Sequence, residues 1–162
     1  MSFLIRAYAP ADLPTLHVIR AAAFAPVFAS FRAIVGPEIA ALGLTTAEQE
    51  QAELLDAIAR PDSGHAIAVV EIEGALAGFV SWKPNIAPGI GEITLNAVHP
   101  DHGGNGIGTA LYDHALAALK AAGMQLATVG TGGDPSHAPA RRAYEKAGFN
   151  VHLPSIYMYR KL

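Results

Sequence analysis

Four glycines fall within six residues, Gly103, Gly104, Gly106 and Gly108, and an alanine-rich stretch of helical spacing follows at once. A glycine-rich turn that opens a helix is a site for an anion. Its amides point outward, bare backbone permits close approach, and the helix dipole adds about half a positive charge. Two familiar phosphate loops do not fit. The P-loop, G-x-x-x-x-G-K-[ST], finds its glycine spacing at Gly103 to Gly108, but Thr109 stands where the lysine must be. The dinucleotide fingerprint G-x-G-x-x-G, begun at Gly104, meets Thr109 at its third glycine. No carboxylate occurs between His114 and Gly133 to take a ribose.

The elements that would position this loop can be read from the pattern. Phe3 to Tyr8 is rich in strand formers, and Asp12 can cap a helix whose apolar positions include Leu13, Leu16, Ile19 and Ala23. Phe24 to Leu44 is apolar and broken by prolines, and reads as a short helix and a loop lying over a groove. Thr45-Thr46-Ala47-Glu48 has the form of a capping box for a helix running to about Arg60, where Pro61 stops it. His65 to Glu71 and Ala75 to Trp82 read as strands joined by a Glu73-Gly74 turn. Gly91 to Val98 is the strand that leads into the glycine loop, and alternation puts Glu92, Thr94, Asn96 and Val98 on one face. A helix from Ile107 to Ala122, a strand from Gln125 to Val129, a turn-rich loop and a helix from Pro139 to Ala147 follow. The tail from Phe149 to Leu162 reads as two short strands separated by Pro154. The order is β-α-α-β-β-β-α-β-α-β-β in one domain spanning 1–162. The fold class is α/β in the broad sense (α+β): a mixed, mostly antiparallel sheet with one parallel, right-handed crossover around the glycine loop.

A third anion loop, the acyl-CoA pyrophosphate loop [QR]-x-x-G-x-[GA], accepts Gly106-Ile107-Gly108 at its glycine end. Val98-His-Pro…Gly106-Ile-Gly-Thr-Ala-Leu resembles motif A of the GNAT superfamily of acyl-CoA-dependent N-acyltransferases. Ala140-Arg-Arg-Ala-Tyr-Glu-Lys-Ala-Gly-Phe149 resembles its motif B, A-x-x-x-Y-E-K-x-G-F, and Ile5-Arg6-Ala7…Ala11-Asp12-Leu13 resembles its start. The resemblance implies acetyl-CoA as donor, a primary amine of a small molecule or peptide as acceptor, and direct attack. The absence of cysteine agrees with direct transfer rather than a cysteine acyl-enzyme.

It also implies roles. Glu92 is the candidate general base, and Tyr144, at the motif B tyrosine, is the candidate acid for the departing thiolate. Ala97 and Val98 would offer backbone groups to the pantetheine arm where two strands splay. Gly103, Gly104, Asn105, Gly106, Ile107, Gly108 and Thr109 would supply pyrophosphate amides. Arg141, Arg142 and Lys146 are candidates for the adenosine 3′-phosphate. Two positions depart from the pattern. Gly103 stands where the family carries arginine or glutamine. His137 stands where it often carries asparagine, seven residues before the tyrosine, and is taken as a cofactor contact. The competing expectation is a non-catalytic acyl-CoA-binding or sensing domain of the same fold.

Composition bounds the partners. Hydrophobic residues make up 51% and charged residues 15% of 162 residues, an ordinary globular balance. A net charge of −3 without a basic block argues against nucleic acid. With no cysteine, disulfides and cysteine–zinc sites are excluded, and the seven histidines lack metal-ligand spacing, so no metal is expected. No secretion signal and no unbroken membrane-length apolar span are read, so a cytoplasmic protein is expected, with a homodimer as the possible assembly implied by the resemblance.

Overall fold

A computed structural model describes residues 2–162. Five strands form one sheet in the order β1-β2-β3-β4-β5: Leu4–Ala7, Ala66–Ile72, Ala75–Asn85, Ile90–Val98 and Leu126–Val129. Neighbours pair antiparallel except β4 and β5, which are parallel. The β2–β3 turn is made by Glu73 and Gly74, both at positive φ (52° and 83°), the backbone that a tight hairpin requires. Five helices cover the sheet: α1 Leu13–Val35, α2 Pro37–Gly43, α3 Ala47–Ala59, α4 Ile107–Ala121 and α5 Ala138–Lys146.

Two apolar layers result. On one face, Leu111, Ala115 and Leu119 of α4 and Tyr144 of α5 pack on Val70, Val80, Trp82 and Ile93. On the other, Leu16 and Ile19 of α1 and Leu55 and Ile58 of α3 pack on Val69, Phe79, Leu95 and Ala97. These side chains are almost fully buried, and each large aliphatic or phenylalanine side chain among them contributes roughly 1.5–3 kcal/mol by leaving water.

The parallel pairing is short. Ile90–Ile93 of β4 face Leu126–Val129 of β5, and there the register ends. From Thr94 to Val98, β4 continues without β5 beside it. Gly130 and Thr131 carry the chain from β5 away from it, and the two strands diverge into a cleft.

The sequence pattern is corrected at five places. Phe24 to Leu44 is not a short helix and a loop. The first helix runs unbroken through Pro26 to Val35, Gly36 ends it at a φ of 80°, and Pro37 starts α2. Pro26 removes one donor from the helix, but Val27 and Phe28 bury the face around it, and that burial outweighs the lost hydrogen bond. The apolar stretch is thus longer than the sequence suggested: Pro10–Val35 would pass by length and composition for a membrane span, with a mean hydropathy of 1.6. In the fold it lies on the sheet, with Leu16 and Ile19 in the core.

Asp12 precedes α1 but does not cap it. Its carboxylate accepts from both terminal guanidinium nitrogens of Arg6, at 2.8 and 3.0 Å, and from the amide of Ala9 at 2.8 Å. The capping box at Thr45 does not form either. Thr46 is the residue before α3, its hydroxyl donates to Glu50, and Glu48 reaches back to Arg32 of α1. An ion pair between helices displaced the local cap.

Alternation along β4 breaks at a bulge. Register steps from Trp82↔Ile93 to Val80↔Asn96. Gly91 lies so close to α4 that a Cβ would overlap Leu119, and Ile93 also packs on α4, which turns Glu92 to the α1–α3 side. Asn96 bonds tyrosines of α4 and α5, so Glu92 and Asn96 lie on opposite faces. Finally, residues 149–162 form no strands. Val151, Leu153, Ile156, Tyr157 and Met158 are exposed, and the tail is pinned near its end by Lys161 on Glu38 at 2.7 Å. Strand formers alone do not make a strand where no ladder partner is paired to them.

Candidate active site

One cleft of about 900 Å³ opens where β4 and β5 diverge. Its floor is β4 from Glu92 to Val98. One end is the glycine loop and the start of α4; one wall is α5; the other is formed by Ala23, Phe24, Pro26 and Val27 of α1 with Leu54 and Ile58 of α3.

The glycine loop is built as the spacing predicted. A short 3₁₀ turn over Pro100–His102 leads into it, and Gly106 precedes α4 in the left-handed region, with φ of 76°. Gly104 has φ of 78°. At these two positions a side chain would strain the backbone. Gly103 has an ordinary φ of −62°, and a Cβ there would meet only the Pro100 carbonyl, at 3.2 Å. A side chain at 103 therefore requires that carbonyl to give by a few tenths of an ångström, and meets nothing else. A charge-assisted hydrogen bond contributes about 1.5–3 kcal/mol, less where solvent screens it. Gly103→Arg is expected to tighten the binding of coenzyme A in calorimetry, by about tenfold given that screening. Unchanged affinity would mean that the bare amides already satisfy the anion.

At the middle of the cleft two tyrosines stack. The rings of Tyr112 and Tyr144 lie 4.5 Å apart at 29°, and Asn96 of β4 joins their hydroxyls. The Tyr112 hydroxyl donates to Asn96 Oδ1 at 2.8 Å. Asn96 Nδ2 donates to the Tyr144 hydroxyl at 3.0 Å and to the Thr94 carbonyl at 3.0 Å. Tyr144 thus receives a hydrogen bond, while its own proton has only a long 3.3 Å contact to Asn96 Oδ1. Burial pushes the Tyr144 phenol up, against the lowering effect of its bonds to Asn96 and Tyr112; Tyr112 is pushed up as well, first by burial. A phenol held neutral, fixed by an amide and with its proton loosely held can give that proton to a departing anion.

Past Val129 the chain makes a second constellation. Asp134 accepts from the Ser30 hydroxyl of α1 at 2.8 Å, from the Ser136 amide at 3.1 Å, from the Ser136 hydroxyl, and pairs with His137 Nδ1 at 2.6 Å. Burial raises the Asp134 carboxyl, but the bonds from Ser136, Ser30 and His137 outweigh it and hold the group well below the carboxylate range.

Of the residues singled out in the sequence, Glu92, Ala97, Val98, Gly103, Gly104, Gly106, Ile107, Gly108, Thr109, His137 and Tyr144 all line this one cleft. Asn105 does not: its side-chain amide is turned to the His102 and Gly103 carbonyls and braces the loop. Arg142 and Lys146 reach the cleft, whereas Arg141 is spent on the carbonyls of Gly132 and Asp134. Sequence reasoning missed Tyr112 and Asp134. Tyr112 carried a signal, a polar-tipped aromatic on the apolar face of α4; Asp134 lay in a turn-rich loop where an aspartate draws no notice.

A glycine-rich turn at a helix N-terminus, an unpaired strand edge and a buried phenol thus lie along one cleft. The profile of the Acetyltransferase (GNAT) family matches residues 37–149. Over 117 residues the chain is 33% identical to a mycothiol acetyltransferase of Sanguibacter keddieii, covering 68% of this chain and 36% of that protein. The chain therefore spans about a third of that relative's length. The PaiA N-acetyltransferase of Thermoplasma acidophilum, solved with coenzyme A, superposes with a TM-score of 0.72 at 21% identity, over 94% of this chain and 92% of that one. The ribosomal-protein-S18-alanine N-acetyltransferase of Escherichia coli does so with a TM-score of 0.66 at 20% identity, over 94% and 80%. This chain belongs to the GNAT family of acetyltransferases. Its mixed five-stranded sheet matches the fold of a solved GNAT-family structure, with a TM-score of 0.70.

Proposed function

We propose that the protein moves an acetyl group from acetyl-CoA to the primary amine of a small, partly apolar molecule by direct attack. The observation that carries this is the placement of Tyr144 and the Gly104–Gly106 cradle on one cleft, joined by the open edge of β4. The residues fit the donor. Amides of the glycine loop and of the α4 N-terminus would hold its pyrophosphate, with Arg142 and Lys146 near enough to add charge. Unpaired backbone of Thr94 to Val98 would bind its arm as a strand would. Tyr144 gives its proton to the departing thiolate.

The acceptor end supports the rest. Ala23, Phe24, Val27, Leu54 and Ile58 offer an apolar wall, and Glu92 is the carboxylate exposed beside it. An alkyl amine is mostly an ammonium at neutral pH, since its pKa is about 10.4. The Glu92 carboxylate attracts that ammonium, and the wall takes the apolar body. Glu92→Gln is therefore expected to raise KM for the amine several-fold, with a smaller effect on KM for acetyl-CoA.

The deciding experiment is a panel of primary amines, an alanine-led peptide among them, incubated with acetyl-CoA while released thiol is measured. The protein has no cysteine and adds no background. Calorimetry with coenzyme A runs beside it. Binding without thiol release from any amine would favour a sensing domain, and absence of binding would end the proposal.

A further inference from the structure

We propose that His137, oriented by Asp134, takes the proton from the attacking amine, while Glu92 serves to bind the amine's charge. This rests on the acyltransferase reading above. The observation is how thoroughly one histidine has been fixed on the cleft wall. Its Nδ1 lies 2.6 Å from Asp134 Oδ1, and both side chains are largely buried, at 14% and 10% exposure. Asp134 is itself tied to α1 through Ser30 at 2.8 Å. Phe31, the next residue of α1, stacks on the imidazole with centroids 5.6 Å apart and planes at 23°. Arg141 of α5 holds the loop by the carbonyls of Gly132 and Asp134. Gly132 leaves room for the ring: a Cβ there would overlap its Nδ1 and Cε1.

A carboxylate on Nδ1 puts the ring hydrogen there and leaves Nε2 with a lone pair. A neutral imidazole with a free lone pair, held on the cleft wall, is placed to accept a proton from an attacking amine. The charged groups around the ring are Asp134 on its own turn and Arg141 and Arg142 on α5. Helix α1 presents Ser30 and Phe31 there, neither of which titrates in this range. Glu92, His65, His102 and Lys146 lie along the same cleft.

In the step, the bound ammonium first gives one proton to His137 Nε2, which passes it to solvent; the neutral nitrogen then forms a bond to the acetyl carbon and the carbon–sulfur bond breaks. The second proton lost by nitrogen goes to His137 Nε2, directly or through one water, and the sulfur takes the Tyr144 proton. Transfer from His137 through solvent then restores Tyr144, so the enzyme ends as it began. Asp134 acts as the positioning residue.

The test has two arms. Protein labelled with ¹⁵N-histidine is examined by long-range proton–nitrogen NMR at pH 8, and His137 is assigned by comparison with His137→Gln. The expected tautomer carries hydrogen on Nδ1 and none on Nε2, and Asp134→Asn should mix or reverse it. A wild-type ring protonated on Nε2 overturns the proposal whatever the acceptor. In the second arm, acetyl transfer to 2-phenylethylamine is followed across pH. His137→Gln should lower kcat about 100-fold with acetyl-CoA affinity kept, and should lose the acidic limb of kcat/KM. Gly132→Ala, which displaces the ring, should reproduce the kcat loss with all seven histidines present. Glu92→Gln should keep the acidic limb. If His137→Gln keeps that limb and Glu92→Gln loses it, Glu92 is the base. Failure of wild-type enzyme to acetylate the probe while binding acetyl-CoA counts against the acceptor class, and the NMR arm still decides the role of His137.

Discussion

Replacing Tyr144 by phenylalanine is expected to lower kcat about 100-fold, the order of effect that a positioned acid supplies, and to leave coenzyme A affinity nearly unchanged. The ring would remain stacked on Tyr112 and packed against Phe149, so the wall of the cleft would keep its shape. Asn96 would lose the Tyr144 oxygen as an acceptor and one long donor contact, while its amide still reaches the Thr94 carbonyl and its oxygen still accepts from Tyr112. Single-turnover release of thiol, set beside calorimetric binding of coenzyme A, measures both quantities. Equal kcat in the variant would remove Tyr144 from the chemistry. Because burial pushes the phenol above its ordinary value near 10, no loss of wild-type activity below that pH should come from Tyr144.

The second large effect is on stability. Asp12→Ala is expected to lower the unfolding free energy by about 2–3 kcal/mol, the size of a charge-assisted hydrogen-bond loss at a largely buried carboxylate. Asp12 joins the start of α1 to β1 through Arg6, which also holds Glu71 of β2 at 2.9 Å. One carboxylate thereby fixes where the long helix enters the sheet. Its hydrogen bond from Arg6 holds the Asp12 carboxyl below the ordinary range, against burial and with help from the Ala9 amide. A carboxyl lowered in the folded state contributes fully above its unfolded value of about 3.9 and loses that contribution as pH falls through the folded value. Urea unfolding from pH 7 to pH 2 should therefore fall less steeply below pH 4 in the variant. Parallel curves would assign the link to packing instead of charge.

The contrast between what the residues announced and what they hid has a physical basis. The sheet, the Glu73-Gly74 hairpin and the glycine loop rest on period, turn chemistry and positive φ, all local properties. Tyr144 was found because its neighbours along the chain are distinctive. The helix through Pro26 was hidden because a local breaker was overruled by burial. The Thr45 box was hidden because Glu48 found Arg32, sixteen residues away, a better partner. Glu92 was placed on the wrong face because one bulge, invisible in the alternation, turns the strand. Asp134 escaped notice because its meaning comes from Ser30, more than a hundred residues earlier.

The end of the β4–β5 pairing at Ile93 and Val129 has a thermodynamic consequence. Beyond it the cleft-facing edge of β4 has no ladder partner, so under the proposed function an extended donor arm laid along Thr94 to Val98 would complete the sheet as a borrowed strand. Donor recognition would then be partly a folding reaction, and bound donor would stabilise the protein by mass action. At a hundred times the dissociation constant, mass action alone adds about 2.7 kcal/mol, close to what the Arg6–Asp12 link is expected to contribute from within the chain.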